Sequence, residues 1–159
     1  MERSACSRQR RLLVHKCLDA GEKPLSEIKI SPVPSARGTE TILLVEDQEG
    51  IRELASELLK RNGYSVLCAG DGQEALKIAA EHDDSINLLV TDVIMPNMDG
   101  HELAHRLTRA RPQTKVLFMS GNADQASLSH HLGDVPALVL QKPFRLDALL
   151  HKVRSVLDQ

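Results

Sequence analysis

The stretch "ILLVEDQEGIRELASELLKRNGY", residues 42–64, changes its hydrophobic period part-way along. Ile42 to Val45 are apolar without interruption, the pattern of a strand covered on both faces. From Ile51 the apolar positions are Leu54, Ala55, Leu58 and Leu59, which fall at i+3, i+4, i+7 and i+8 and so gather on one side of a helix. Lys60 and Arg61 occupy its last turn and Gly63 follows, both stop signals. A second apolar run, "YSVLCA" at residues 64–69, then begins. Strand, helix and strand in that order describe a crossover between parallel strands, which is right-handed in nearly all folds.

The alternation continues outward. Further apolar runs lie at "NLLVT" (87–91), "KVLFM" (115–119) and "ALVL" (137–140), giving five strands in all. Helical spacing returns in Leu146, Leu149, Leu150 and Val153, and more weakly in Ala75, Leu76 and Ala79 and in Leu103 with Leu107. The segment from Ala123 to His131 carries the weakest helical pattern. Buried strands alternating with amphipathic helices define an α/β fold of three layers, with helices on both faces of a parallel sheet.

A chain of 159 residues holds one domain of ordinary size. Its composition, 42% apolar and 26% charged, is that of a soluble globular protein, and no run approaches the roughly 18 apolar residues of a membrane span. The basic N-terminus lacks the apolar core of a secretory signal, so a cytoplasmic location is expected. Cys6, Cys17 and Cys68 show no CxxC pairing, which argues against a disulfide framework or a zinc site. Residues 1–37 carry prolines at 32 and 34 and read as a basic tail and linker, leaving 38–159 as the domain. With no aromatic interleaving and no helix-turn-helix or zinc pattern, the tail gives no reason to expect nucleic acid as a partner.

In an open parallel sheet, ligands bind beyond the carboxyl ends of the strands. The first strand ends in Glu46-Asp47, the third in Asp92, the fourth in Ser120-Gly121 and the fifth in Lys142-Pro143. Taken singly these residues have ordinary explanations: Glu46 and Asp47 as caps of the following helix, Ser120 as a turn residue, Lys142 as a solvated amine. Together, Glu46, Asp47 and Asp92 repel one another unless a cation sits among them or a carboxyl stays protonated. A hard divalent ion relieves the repulsion, and Mg²⁺ commonly combines one or two carboxylates with waters and a phosphate oxygen. Asp92 is then the natural nucleophile toward a phosphoryl group, with Lys142 and the Ser120 hydroxyl bonding its oxygens. "VEDQEG" is not a glycine-rich phosphate loop, so nucleotide binding is disfavoured.

"ILLVEDQEGIRELASELLKRNGY", "TDVIMPNMDG", "VLFMSG" and "QKPF", in this order and spacing, resemble the receiver domain of two-component response regulators over about Glu40 to Asp158. The resemblance is nearest in type to receivers attached to hybrid sensor histidine kinases. It implies a flavodoxin-like fold with strand order 2-1-3-4-5. It implies Asp92 as phospho-acceptor, Glu46 and Asp47 as the acidic pair at the metal, and the Ile94 carbonyl as a further metal ligand. Ser120 would be the switch hydroxyl and Lys142 the phosphoryl-binding lysine, followed by a cis peptide bond to Pro143. The implied cofactor is Mg²⁺, for which Mn²⁺ can substitute, and the implied donor is a sensor histidine kinase or a histidine phosphotransfer protein.

Two departures from the family pattern stand out. The last-strand position that in many receivers holds a switching aromatic is Val139, and the chain has only two Phe, one Tyr and no Trp. No output domain is expected after the last helix, while "SEIKISPVPSARGTE" faintly resembles the join between a kinase ATPase domain and an attached receiver. The expected reading is therefore a single-domain receiver or a C-terminal piece of a hybrid sensor kinase, modifying itself but turning over no outside metabolite. Two alternatives compete: a receiver-shaped scaffold working without phosphorylation, and an aspartate-nucleophile phosphohydrolase. The latter needs a second acid two residues after its nucleophile, where this chain has Ile94.

Overall fold

The computed structural model describes residues 38–121 and 137–159. The sequence expectations for the tail and for Ala123 to His131 lie outside the described residues. The elements are β1 (Thr41–Val45), α1 (Glu49–Arg61), β2 (Ser65–Ala69), α2 (Gly72–Glu81), β3 (Leu88–Asp92), α3 (Gly100–Ala110), β4 (Lys115–Ser120), β5 (Ala137–Gln141) and α4 (Leu146–Leu157). All five strands are parallel and lie in the order β2-β1-β3-β4-β5.

Burial follows from the two-residue period of a strand. In β1, Ile42 and Leu44 face the same side as Leu88 and Val90 and pack with Leu58, Leu59, Leu149 and Val153, under α1 and α4. Leu43 and Val45 face the other side and pack with Leu89, Ala75, Ala79, Leu103 and Leu107, under α2 and α3. Both faces are covered, which is why these central strands have no polar positions until their ends. The edge strand β2 is less covered, being exposed or half-buried from Ser65 to Cys68.

The helix boundaries have local causes. Asp71 accepts from the Glu74 N–H at 2.8 Å and Asp99 from the Glu102 N–H at 2.8 Å, satisfying orphan donors at the starts of α2 and α3. Glu49 in the first turn and Lys60 with Arg61 in the last suit the dipole of α1, although its N-cap, Gln48, makes no side-chain cap bond. Past α1 the chain reverses at Gly63, whose φ of +97° suits glycine.

One detail differs from the sequence pattern. The spacing of α1 places Leu54 on the buried stripe, yet Leu54 is 40% exposed. It borders a groove of about 490 Å³ between α1 and the segment after β5, lined also by Ile51, Lys142, Pro143, Phe144 and Leu146. The sheet and α4 cover Leu58 and Leu59, further along the helix, while the first turns stand beside this groove.

Candidate functional site: an acidic cluster at the carboxyl ends of the strands

The central strands deliver the site. Parallel pairing of β1 with β3 brings Val45 opposite Thr91, so the next residues along the two strands, Glu46 and Asp92, emerge side by side. Pairing of β4 with β5 sets Ser120 against Gln141, and the following Lys142 N–H donates to the Ser120 carbonyl at 2.7 Å. The peptide bond between Lys142 and Pro143 is cis. Glu46 and Ser120 are fully buried, Asp92 is 9% exposed, and Asp47 lies at the surface.

Glu46, Asp47 and Asp92 each offer a carboxylate oxygen, and these oxygens lie within 4.8 Å of one another. The Lys142 ammonium donates to Glu46 Oε2 at 2.7 Å and to Asp92 Oδ2 at 2.7 Å. The other Asp92 oxygen, Oδ1, accepts from the Ile94 N–H at 3.3 Å. Glu46 Oε1 accepts from the Gln48 N–H at 3.4 Å, but neither Glu46 nor Asp47 is the N-cap of α1, which disposes of the capping explanation for the pair.

The repulsion foreseen from the sequence is thus partly answered by Lys142. Among the described residues, the Lys142 ammonium pairs with two of the three carboxylates, and the acids outnumber it. Burial alone disfavours the charged ammonium, but hydrogen bonds to Asp92 and Glu46, and the charges of both, outweigh it and hold Lys142 above the usual lysine range. For Glu46, burial is the larger influence and pushes the carboxyl up against the pull of Lys142. All the donor atoms are carboxylate oxygens, the chemistry a hard divalent ion requires, so the residues present fit Mg²⁺.

The remaining sequence candidates fall around this centre. Ile94 is 62% exposed, its side chain outside while its backbone holds Asp92. Val139 is half-buried and in register with Phe118, which is fully buried under the His101 ring, their centroids 4.7 Å apart. Two residues gain significance from the structure. A Cβ on Gly100 would lie 2.2 Å from the Asp92 carbonyl oxygen, and the Gly100 N–H donates to the Val93 carbonyl at 2.9 Å, so α3 starts directly against the Asp92 backbone. Arg52 donates to the Glu46 carbonyl at 2.7 Å. The sequence shows the two as an ordinary turn glycine and a helix arginine, because neither contact leaves a periodic trace.

A five-stranded parallel sheet in this order, carrying acids and a lysine at its carboxyl edge, defines a phosphoryl-signalling type of architecture. The family model described as "Response regulator receiver domain" matches residues 42–154, and the chain belongs to that family, the receiver domains of two-component systems. It is 34% identical over 149 residues to the sensor kinase CckA of Brucella abortus, an alignment covering 94% of this chain and 16% of that protein. It is 36% identical over 116 residues to the response regulator receiver protein CpdR of the same organism, covering 73% of this chain and 95% of that one. Against the response regulator MprA of Mycobacterium leprae the chain spans half the relative's length. Among solved structures, the receiver domain of the hybrid histidine kinase CckA superposes with a TM-score of 0.63 at 37% identity, over 74% of this chain and 98% of that one. TrrA of Thermotoga maritima, solved in complex with Mg²⁺ and BeF, gives 0.62 at 31% identity, over 74% and 98%. Among the described residues no helix is long and apolar enough to cross a membrane.

Proposed function

We propose that Asp92 accepts a phosphoryl group from a phosphohistidine, on a sensor histidine kinase or a histidine phosphotransfer protein, and that the acyl phosphate switches the binding of a further protein. The observation that carries this reading is the Lys142 ammonium bonded at once to Asp92 and to the buried Glu46, with Asp47 alongside. In the transfer, an Asp92 carboxylate oxygen forms the new O–P bond as the donor's N–P bond breaks, and the imidazole nitrogen keeps the electron pair. Lys142 is already anchored by Glu46, so it stays in place while its bond to Asp92 passes to a phosphoryl oxygen. Ser120, on the adjoining strand end, supplies a hydroxyl to another, and movement of its loop toward the phosphoryl group is the switch. With Val139 in place of an aromatic, β5 itself changes little, because a β-branched side chain has one stiff torsion.

Glu46, Asp47, Asp92 and the Ile94 carbonyl would hold Mg²⁺, or Mn²⁺ in its stead. When bound, such an ion supplies the positive charge the cluster lacks and draws a phosphoryl oxygen toward Asp92. The groove beside Lys142, with Leu54 exposed on its wall, suits a protein donor. Neither nucleic acid nor a membrane is a partner on this reading, and the module works in the cytoplasm. It acts on itself alone; with Ile94 where a phosphohydrolase needs its second acid, that alternative loses its acid–base group.

On this reading the receiver domain is residues 38–159, with 1–37 preceding it as a tail and linker by sequence. The match to CckA, at 149 residues, is longer than residues 38–159 and so takes in part of residues 1–37, which supports descent from, or membership of, a hybrid kinase. The test of the whole reading is intact-mass measurement after incubation with a small acyl phosphate. One phosphoryl group is expected with Mg²⁺ and none without it. Asp92→Asn labelled as strongly as the parent would sink the assignment, and an unmodified parent would leave the scaffold reading standing.

A further inference from the structure

Arg52 lies one turn into α1, half-buried, and its Nη1 donates to the Glu46 carbonyl oxygen at 2.7 Å. That carbonyl belongs to the peptide joining Glu46 to Asp47, so a bond to it fixes the plane from which the Asp47 side chain departs. The guanidinium also reaches the neighbouring turn: a Cβ built on Gly70 would lie 3.5 Å from Arg52 Nη1 and 3.5 Å from Glu74 Oε2, and the Gly70 N–H donates to that Glu74 oxygen at 2.7 Å. On the strand side, the Glu46 N–H donates to the Ala69 carbonyl at 3.2 Å. The turn that presents Asp47 is therefore tied from both sides, by β2 through its N–H and by Arg52 through its carbonyl. Gln48, the N-cap of α1, makes no side-chain cap bond, so Arg52 is the α1 side chain that holds this turn, through the Glu46 carbonyl.

We propose that Arg52 is a positioning residue for divalent-cation binding, holding the Glu46–Asp47 peptide so that the exposed Asp47 carboxylate stays within reach of Asp92 and Glu46. The inference rests on the reading of that acidic cluster as a cation site. It has a sign that separates it from electrostatics. As a charge alone, Arg52 repels a cation, and its removal tightens binding. As a brace it improves the site, and its removal weakens binding. Outer residues that orient ligands typically change metal affinity by about 10–100-fold.

The experiment is the Mn²⁺ dissociation constant of the full chain, read from the electron paramagnetic resonance of the free ion, with no phosphoryl donor present. Arg52→Met should weaken binding about tenfold. Arg52→Lys, which keeps a charged donor, should recover most of the loss, a rescue that a purely packing role does not give. Unchanged or tighter binding in Arg52→Met overturns the proposal while leaving the cation site intact, whereas a wild-type chain that binds no Mn²⁺ overturns both. Should Arg52→Met not fold, the wild type decides by nuclear magnetic resonance. Separately resolved, slowly rotating Arg52 Nη protons are expected, and a freely rotating guanidinium refutes the brace.

Discussion

The sheet carries a cluster of charges at each end, and the two are built on opposite principles. At the carboxyl edge, Lys142 pairs with the buried Glu46 and Asp92, and the Asp47 carboxylate lies beside them. At the amino edge, Arg154 bridges Glu40, just before β1, at 2.9 Å and Asp158, just after α4, at 2.7 Å. Lys115, at the start of β4, donates to the Leu157 carbonyl at 2.8 Å, so this second cluster also satisfies the C-terminal end of α4. The amino-edge groups complete the fold by fastening the chain's entry into the sheet to the last helix. The carboxyl-edge groups leave negative charge in excess, which works against stability and, on the proposed reading, is kept to receive a positive ion and a phosphoryl group.

That contrast is broken most severely by substitutions at the carboxyl edge. Asp92→Asn should abolish the phosphoryl adduct altogether and yet raise stability without Mg²⁺ by about 0.5–2 kcal/mol, since it removes surplus charge while Asn can still accept from Lys142. Urea unfolding beside intact-mass measurement checks both halves; a less stable variant would mean that the cluster is not overcharged. Lys142→Met leaves the acids without their ammonium and should destabilise the domain by about 3 kcal/mol. Added Mg²⁺ should restore part of that loss, and a variant as stable as the parent would contradict the coupling. At the other edge Arg154→Met should cost about 1–2 kcal/mol, a smaller figure because Asp158 is largely exposed, and should leave the phosphorylation yield of the folded protein unchanged. A drop in that yield would show that the two ends communicate.

What could be read from the sequence divides along the same line. The strands β1 and β3 were legible because they are covered on both faces and therefore unbroken in hydrophobicity. Asp92 and Ser120 were legible as the points where such runs end, and the receiver resemblance assigned their roles. The pairing of Lys142 with Glu46 was not, because the two lie 96 residues apart and only the order of strands brings them together. Leu54 misleads for a related reason: helical spacing reports which side of α1 a residue occupies, while burial depends on whether an element lies opposite that turn. Arg52 and Gly100 act on backbone atoms, and a contact with a carbonyl leaves no complementary residue type to search for.

The smallest expected effect concerns acid, and it separates the two ends by sign. Burial works against ionisation of Glu40, but the Arg154 hydrogen bond, backbone N–H groups and the Arg154 charge outweigh it, so its pKa lies below the usual glutamate value. A group whose folded pKa is depressed contributes stability above its unfolded pKa and loses it as pH falls through the folded one. Lys142 is the reverse case: its pKa is raised in the fold, so its contribution is complete below the ordinary lysine range and disappears as pH rises through the folded value. The amino edge should therefore weaken in acid and the carboxyl-edge ion pair in alkali. Unfolding free energies of wild type and Glu40→Gln, measured from neutral pH downward, should differ most at neutrality and converge below the usual carboxylate range, because a protonated Glu40 and the glutamine that replaces it are then alike in charge. A gap of constant size across that range would show that Glu40 acts through packing or a neutral hydrogen bond rather than through its charge on Arg154.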